Sequence, residues 1–152
     1  MIFVEISDKF TSQVDTSLIE RAVKKTLTHL SFPGDSSVTI AITDDQQIHE
    51  LNRKFRGINS PTDVLSFPAG HVDPEDGTTY LGDVIISYPQ AEIQARCRDH
   101  ATECELQLLV VHGILHLLGH DHTEPAEKAS MWAVQGEILF QLGIQITIMY
   151  DP

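Results

Sequence analysis

The stretch Leu106–Leu118 constrains this chain more than any other. Leu108, Leu109, Val110, Val111, Ile114, Leu115, Leu117 and Leu118 point in nearly every direction around a helix. A helix that is apolar all round is buried. Yet it carries His112 and His116, four residues apart and so on one face about one turn from each other. Two buried imidazoles need polar partners, because each unpaired buried group costs roughly 1–3 kcal/mol. One metal ion satisfies both. Gly119 is placed to end the helix in the left-handed conformation and turn the chain so that His122 supplies a third ligand. Three neutral imidazoles leave a fourth position for water, the arrangement of a catalytic zinc site in which bound water becomes a nucleophile near neutral pH. His120 is read as facing solvent or lying behind the ligands. Asp121 is either a partner for a ligating ring or a cap on the next turn.

This spacing is similar to that of the metzincin peptidases, His-Glu-x-x-His-x-x-Gly-x-x-His, but Gly113 stands where their glutamate would be. Glycine moves no proton. It also costs a helix up to ~1 kcal/mol relative to alanine, so Gly113 implies a close backbone approach by something else. The pattern points to a zincin-like site with chemistry other than peptide hydrolysis.

Around this motif the chain reads as one domain, residues 1–152, without repeats, charge blocks or a flexible linker. Strands are expected at Ile2–Ile6, Val38–Ile42, Val64–Phe67 and Leu81–Ile86, and Pro33-Gly34-Asp35 as a turn. Ala69–Thr79, with its Gly, His and Pro, reads as a long exposed loop. Helices are expected after Asp15 to about Leu30, after Asp44 or Asp45 to about Phe55, from Pro89 to about Arg98, from Thr102 to Leu118, and from Pro125 to Leu142. Strands dominate the first 90 residues and helices the rest. The fold class is therefore α+β, with about four strands. Cys97 and Cys104 form no disulfide framework and are read as reduced core thiols. The start Met1-Ile-Phe-Val-Glu-Ile reads as a strand rather than a signal peptide, and Leu106–Leu118 is too short to span a bilayer; a soluble, cytoplasmic protein is expected.

The sequence resembles the YbeY family of bacterial metal-dependent endoribonucleases. The resemblance is carried by His112 through His122, by Leu51-Asn52 with Phe55-Arg56-Gly57, by Pro61-Thr62-Asp63-Val64-Leu65-Ser66-Phe67-Pro68 and by Leu81-Gly82-Asp83-Val84-Ile85-Ile86-Ser87. A weaker match runs through Met131 and Glu137-Ile138-Leu139. It implies that His112, His116 and His122 hold one zinc ion per chain, and that Arg56 and His116 are catalytic, with Arg56 contacting substrate phosphate. It further implies a small mixed β-sheet packed with helices around a zincin-like metal-binding core, and a single-strand-specific endoribonuclease of ribosomal RNA processing, with ribosomal RNA and ribosome-associated proteins as partners. A guanidinium suits phosphate bidentately, and Arg53, Lys54 and Arg56 form the densest basic patch in the chain. A solvated helix end favoured by the dipole is the competing reading for Arg53 and Lys54. Asp63 either orients a ligand or the arginine, or caps a turn.

Composition sets one tension. With 10 Lys+Arg against 22 Asp+Glu the net charge is −12, unsuited to a long nucleic-acid footprint. A narrow positive cleft on an acidic surface, with weak, salt-sensitive binding of naked RNA, is expected instead. Two other readings stand beside the nuclease: a zinc peptidase or amidase using Glu124 or another acid as base, and a non-enzymatic ribosome assembly factor with a structural metal.

Overall fold

A computed structural model describes residues 1–32 and 34–145. The order of elements is β1 (Ile2–Ile6), α1 (Thr16–His29), β2 (Ser36–Thr43), α2 (Asp45–Arg56), β3 (Val64–Val72), β4 (Thr79–Ser87), α3 (Tyr88–Arg98), α4 (Thr102–Leu117) and α5 (Pro125–Gln141). The four strands form one mixed sheet in the order β1-β2-β4-β3. β1 and β4 both run parallel to β2, while β3 pairs antiparallel with β4. The α+β class and the strand number expected from the sequence hold, and Pro33 of the expected turn lies outside the described residues.

Local chemistry starts and stops the helices. Asp15 caps α1 by accepting from the Ser17 amide, and Asp44 caps α2 by accepting from the Gln47 amide at 2.9 Å. Asp45 instead accepts from the Ser87 hydroxyl at 2.8 Å and ties α2 to the end of β4. Ile40, Ile42, Val84 and Ile86 of the two central strands are fully buried, and α4 lies on the sheet with Leu108, Leu109, Val110, Val111, Ile114 and Leu115 equally buried. The apolar-all-round helix is thus the core helix, covered by α1, α3 and α5 where it leaves the sheet.

Two expectations need correction. The segment Ala69–Thr79 is not a long loop: β3 continues to Val72 and β4 begins at Thr79, leaving a tight turn closed by the Asp73 amide to the Thr78 carbonyl at 2.7 Å. The strand reads as loop because it is an edge strand exposed from Pro68 onward, and the pairing shifts register between Pro68 and His71. Proline is tolerated at such an irregular edge, where no ladder hydrogen bond is required of it, and glycine suits the irregularity. Cys97, expected in the core, is exposed on α3, and Cys104 is half-buried. Among the described residues, no helix is long and apolar enough to cross a membrane.

Candidate metal centre

The side chains of His112, His116 and His122 converge, with one ring nitrogen from each lying within 4.8 Å of the others. His112 and His116 come from adjacent turns of α4, their Nε2 atoms 3.1 Å apart. The helix then stops as the glycine requires. Gly119 takes φ +94°, its amide donates to the His116 carbonyl, and the His120 amide reaches back to the Leu115 carbonyl at 3.0 Å. This reversal brings the His122 ring to 5.0 Å from that of His116, centroid to centroid, and to 5.7 Å from that of His112.

Burial keeps the His112 and His116 rings neutral. Desolvation pushes His112 down to about 3, against the smaller opposing effect of its hydrogen bond to Gln135, and desolvation likewise lowers His116. The His112 Nδ1–H donates to Oε1 of Gln135 at 2.9 Å. An amide oxygen only accepts, so this bond places the proton on Nδ1 and leaves the Nε2 lone pair facing the cluster. The donor set fits a borderline cation: three imidazoles, a fixed tautomer at His112, and in His112 and His116 a pair of nitrogens 3.1 Å apart, near the roughly 3.4 Å separation that ~2.0–2.1 Å zinc–nitrogen bonds set in a tetrahedron. Trp132 of α5 lies 5.7 Å from both the His112 and His122 rings and walls the cluster on that side.

Gly113 has the close contact that its place in mid-helix implies. A Cβ there would meet Cγ1 of Val84 at 2.5 Å and Oγ of Ser66 at 3.3 Å. Ser66 donates to the Gly113 carbonyl at 2.9 Å, so α4 is pressed and bonded onto β4 and β3 at the level of the histidines.

The cluster opens into a cleft of about 810 Å³, walled by the end of α2, the following loop, β3 from Val64 to Pro68, and the turn after α4. Arg56 lines this cleft. It stands at the end of α2, where Gly57 takes φ +69° and the Ile58 amide returns to the Asn52 carbonyl. Asn52 is buried beneath it: its Nδ2 donates to the Ser60 carbonyl at 2.9 Å, and its Oδ1 accepts from Arg56 at 3.3 Å. Arg53 and Lys54 are exposed and do not line the cleft. They fit the solvated helix end.

The ambiguous acids resolve toward structure. Asp63 accepts from the Val64 amide at 2.8 Å, from Thr62 and from Gln94 of α3. Burial raises its pKa, with those hydrogen bonds opposing. Asp121 accepts from the His122 amide at 2.7 Å and from the Thr123 hydroxyl, which hold it below the usual carboxylate range and shape the turn that carries His122. His120 lies outside the cleft lining, against a separate depression formed with Leu118 and Gly119. Glu124, the base considered for a peptidase, is exposed at the start of α5 and also outside the lining. The lining carries one arginine against two aspartates, so the positive potential expected from the sequence depends on the charge of a bound ion.

Gln135, Asn52 and Ser66 are the residues whose part in the site the sequence did not signal. Gln135 had the clearest cue, a polar residue among the inward positions Met131, Trp132, Ile138 and Leu139 of α5.

A model of the family described as Endoribonuclease YbeY matches residues 3–143. This chain belongs to that family. A curated relative from Roseiflexus castenholzii, an endoribonuclease YbeY, is 42% identical over 149 residues, spanning 95% of this chain and 94% of the relative. The endoribonuclease YbeY of Chloroflexus aurantiacus is 44% identical over 149 residues, spanning 94% and 96%. A Thermotoga maritima protein solved in solution superposes with a TM-score of 0.63 at 29% identity, over 93% of this chain and 89% of that one. The family match runs from within β1 to beyond the end of α5.

Proposed function

We propose that the chain is a zinc-dependent, single-strand-specific endoribonuclease of ribosomal RNA processing, acting in small-subunit RNA 3′-end maturation and ribosome quality control. His112, His116 and His122 would hold one zinc ion per chain, and Arg56 would bind the scissile phosphate. The observation that carries this reading is the convergence of three imidazoles in a cleft that also presents an exposed guanidinium. Membership of an endoribonuclease family supports the substrate class.

Zinc bound there supplies a Lewis acid for a phosphoryl oxygen and for water. The chain does the rest. His112 and His116 hold their Nε2 atoms toward one point, the first fixed by Gln135 and the second by its turn of a buried helix. Arg56, held by Asn52, offers two parallel N–H groups to the phosphate and stabilises the charge that develops on it. The glutamate that moves the proton in metzincins has no counterpart, since Gly113 fills its place and Glu124 is outside the cleft. Phosphodiester cleavage fits this better than amide hydrolysis. With a net charge of −12, binding of naked RNA is weak and salt-sensitive, and ribosome-associated proteins in the cytoplasm direct the enzyme to its site.

The test is cleavage of a ribosomal RNA fragment by equally purified wild type, Arg56→Ala and His116→Ala. The wild type alone is expected to cleave, with zinc at about one per chain and absent from His116→Ala. Equal cleavage by all three, or by none, moves the assignment to a ribosome assembly factor with a structural metal.

A further inference from the structure

Seven large apolar side chains stand exposed among the described residues, and two of them, Phe55 and Ile58, line the cleft that holds the histidines. Phe55 is 57% exposed, although a phenylalanine gains by burial. Its ring is held at the mouth. Phe67 of β3 meets it edge-on, with centroids 5.2 Å apart and planes at 68°, and Pro61 and Pro68 continue the apolar lining. Arg56, the next residue along α2, lines the cleft beside it, while Lys54, outside the lining, sets its Nζ over the ring at 5.2 Å from the centroid. The exposed phenylalanines on β1 and α5, Phe3 and Phe140, are outside the cleft.

We infer that Phe55 is a stacking platform for one unpaired base of the RNA strand, with Arg56 on a phosphate beside that base. The inference rests on the nuclease reading above and gives it a source of strand selectivity. A single strand alternates flat apolar bases with anionic phosphates, and this wall sets an aromatic ring beside a guanidinium. In a duplex both faces of each base are already stacked, so no base is available to the ring. A chain of such negative charge cannot rely on counterion release over a long footprint, and a stacked base adds affinity that does not depend on charge.

The test is a fluorescence titration of a short single-stranded oligoribonucleotide carrying 2-aminopurine, with wild type, Phe55→Leu and Phe55→Trp. Leucine keeps the apolar bulk without the π face. Wild type is expected to quench the probe, Phe55→Leu to bind about tenfold more weakly, and Phe55→Trp to restore binding. An oligomer of abasic riboses, read by anisotropy, is expected to bind wild type and Phe55→Leu alike. No quenching by wild type, equal affinity of wild type and Phe55→Leu, failure of Phe55→Trp to rescue, or an equal loss on the abasic oligomer overturns the platform. Matching thermal melts establish that the variants are folded. RNA cleavage is read separately. Phe55-dependent binding without cleavage supports the platform and removes the nuclease reading, whereas cleavage with Phe55-independent binding does the reverse.

Discussion

Helix α4 and the last turn of α2 face the same cleft, yet one is enclosed on nearly every side and the other stands in solvent. His112 is 1% exposed and its ring is bonded to Gln135; Phe55 and Arg56 are exposed, and one buried asparagine bonds the arginine. The difference follows from what each wall is suited to hold. Metal ligands need neutral rings in a fixed geometry, which burial and a hydrogen-bonded outer nitrogen provide. A surface that takes a flexible polyanion needs charge and reach, which survive only in water. The helix wall is held by the core, so on the proposed reading its perturbations are expected to register as lost metal or lost stability. The α2 wall is held locally, so on the same reading its perturbations are expected to register in substrate handling.

The largest effect expected from breaking this contrast is at Gln135. Gln135→Leu keeps the bulk and removes the acceptor on His112 Nδ1, and is expected to lower zinc affinity about 10–100-fold without unfolding the chain. Competition with a chelator of known affinity measures it; unchanged affinity would mean that packing alone orients the ring.

Gly113→Ala comes next. Helix propensity alone stabilises alanine by up to ~1 kcal/mol, whereas a Cβ 2.5 Å from Val84 Cγ1 overpacks the helix–sheet contact, at about 1–3 kcal/mol. A net destabilisation of about 1–2 kcal/mol is expected in urea unfolding. A stabilised variant would show that α4 is free to lift from the sheet, and the core-held wall would lose its distinction.

The smallest effect sharpens the other wall. Asn52→Ala removes the acceptor for Arg56 and the donor to Ser60. Affinity for a single-stranded RNA oligomer is expected to fall several-fold, less than in Arg56→Ala, and the double variant to match Arg56→Ala alone, because neighbours that act through one contact are not additive. Fully additive losses would separate Asn52 from the arginine.

How much was legible follows the range of the interactions. The three histidines and the stop at Gly119 are visible in sequence because helical spacing and a left-handed glycine are local properties. Gly113 announced a close neighbour by costing helix stability, though not that Val84 and Ser66 would be that neighbour. Strand β3 beyond Phe67 was unreadable for a different reason: an exposed edge strand with Pro68 and Gly70 lacks the alternation that marks a strand, and its pairing partner, β4, is what makes it one. Cys97 was misplaced because residue type reports an average burial rather than a position on one helix.

The sequence by itself therefore determined the class of fold, the helix that must be buried, and three imidazoles that share one side of it, since all of these depend on periodicity and backbone preference within a few turns. Only the tertiary structure decided that Gln135 fixes the tautomer of His112, that Asn52 holds Arg56, and that the ends of α2 and β3 close a cleft over the histidines. Those contacts join residues distant along the chain, and they exist only once burial of the core has set the elements against one another.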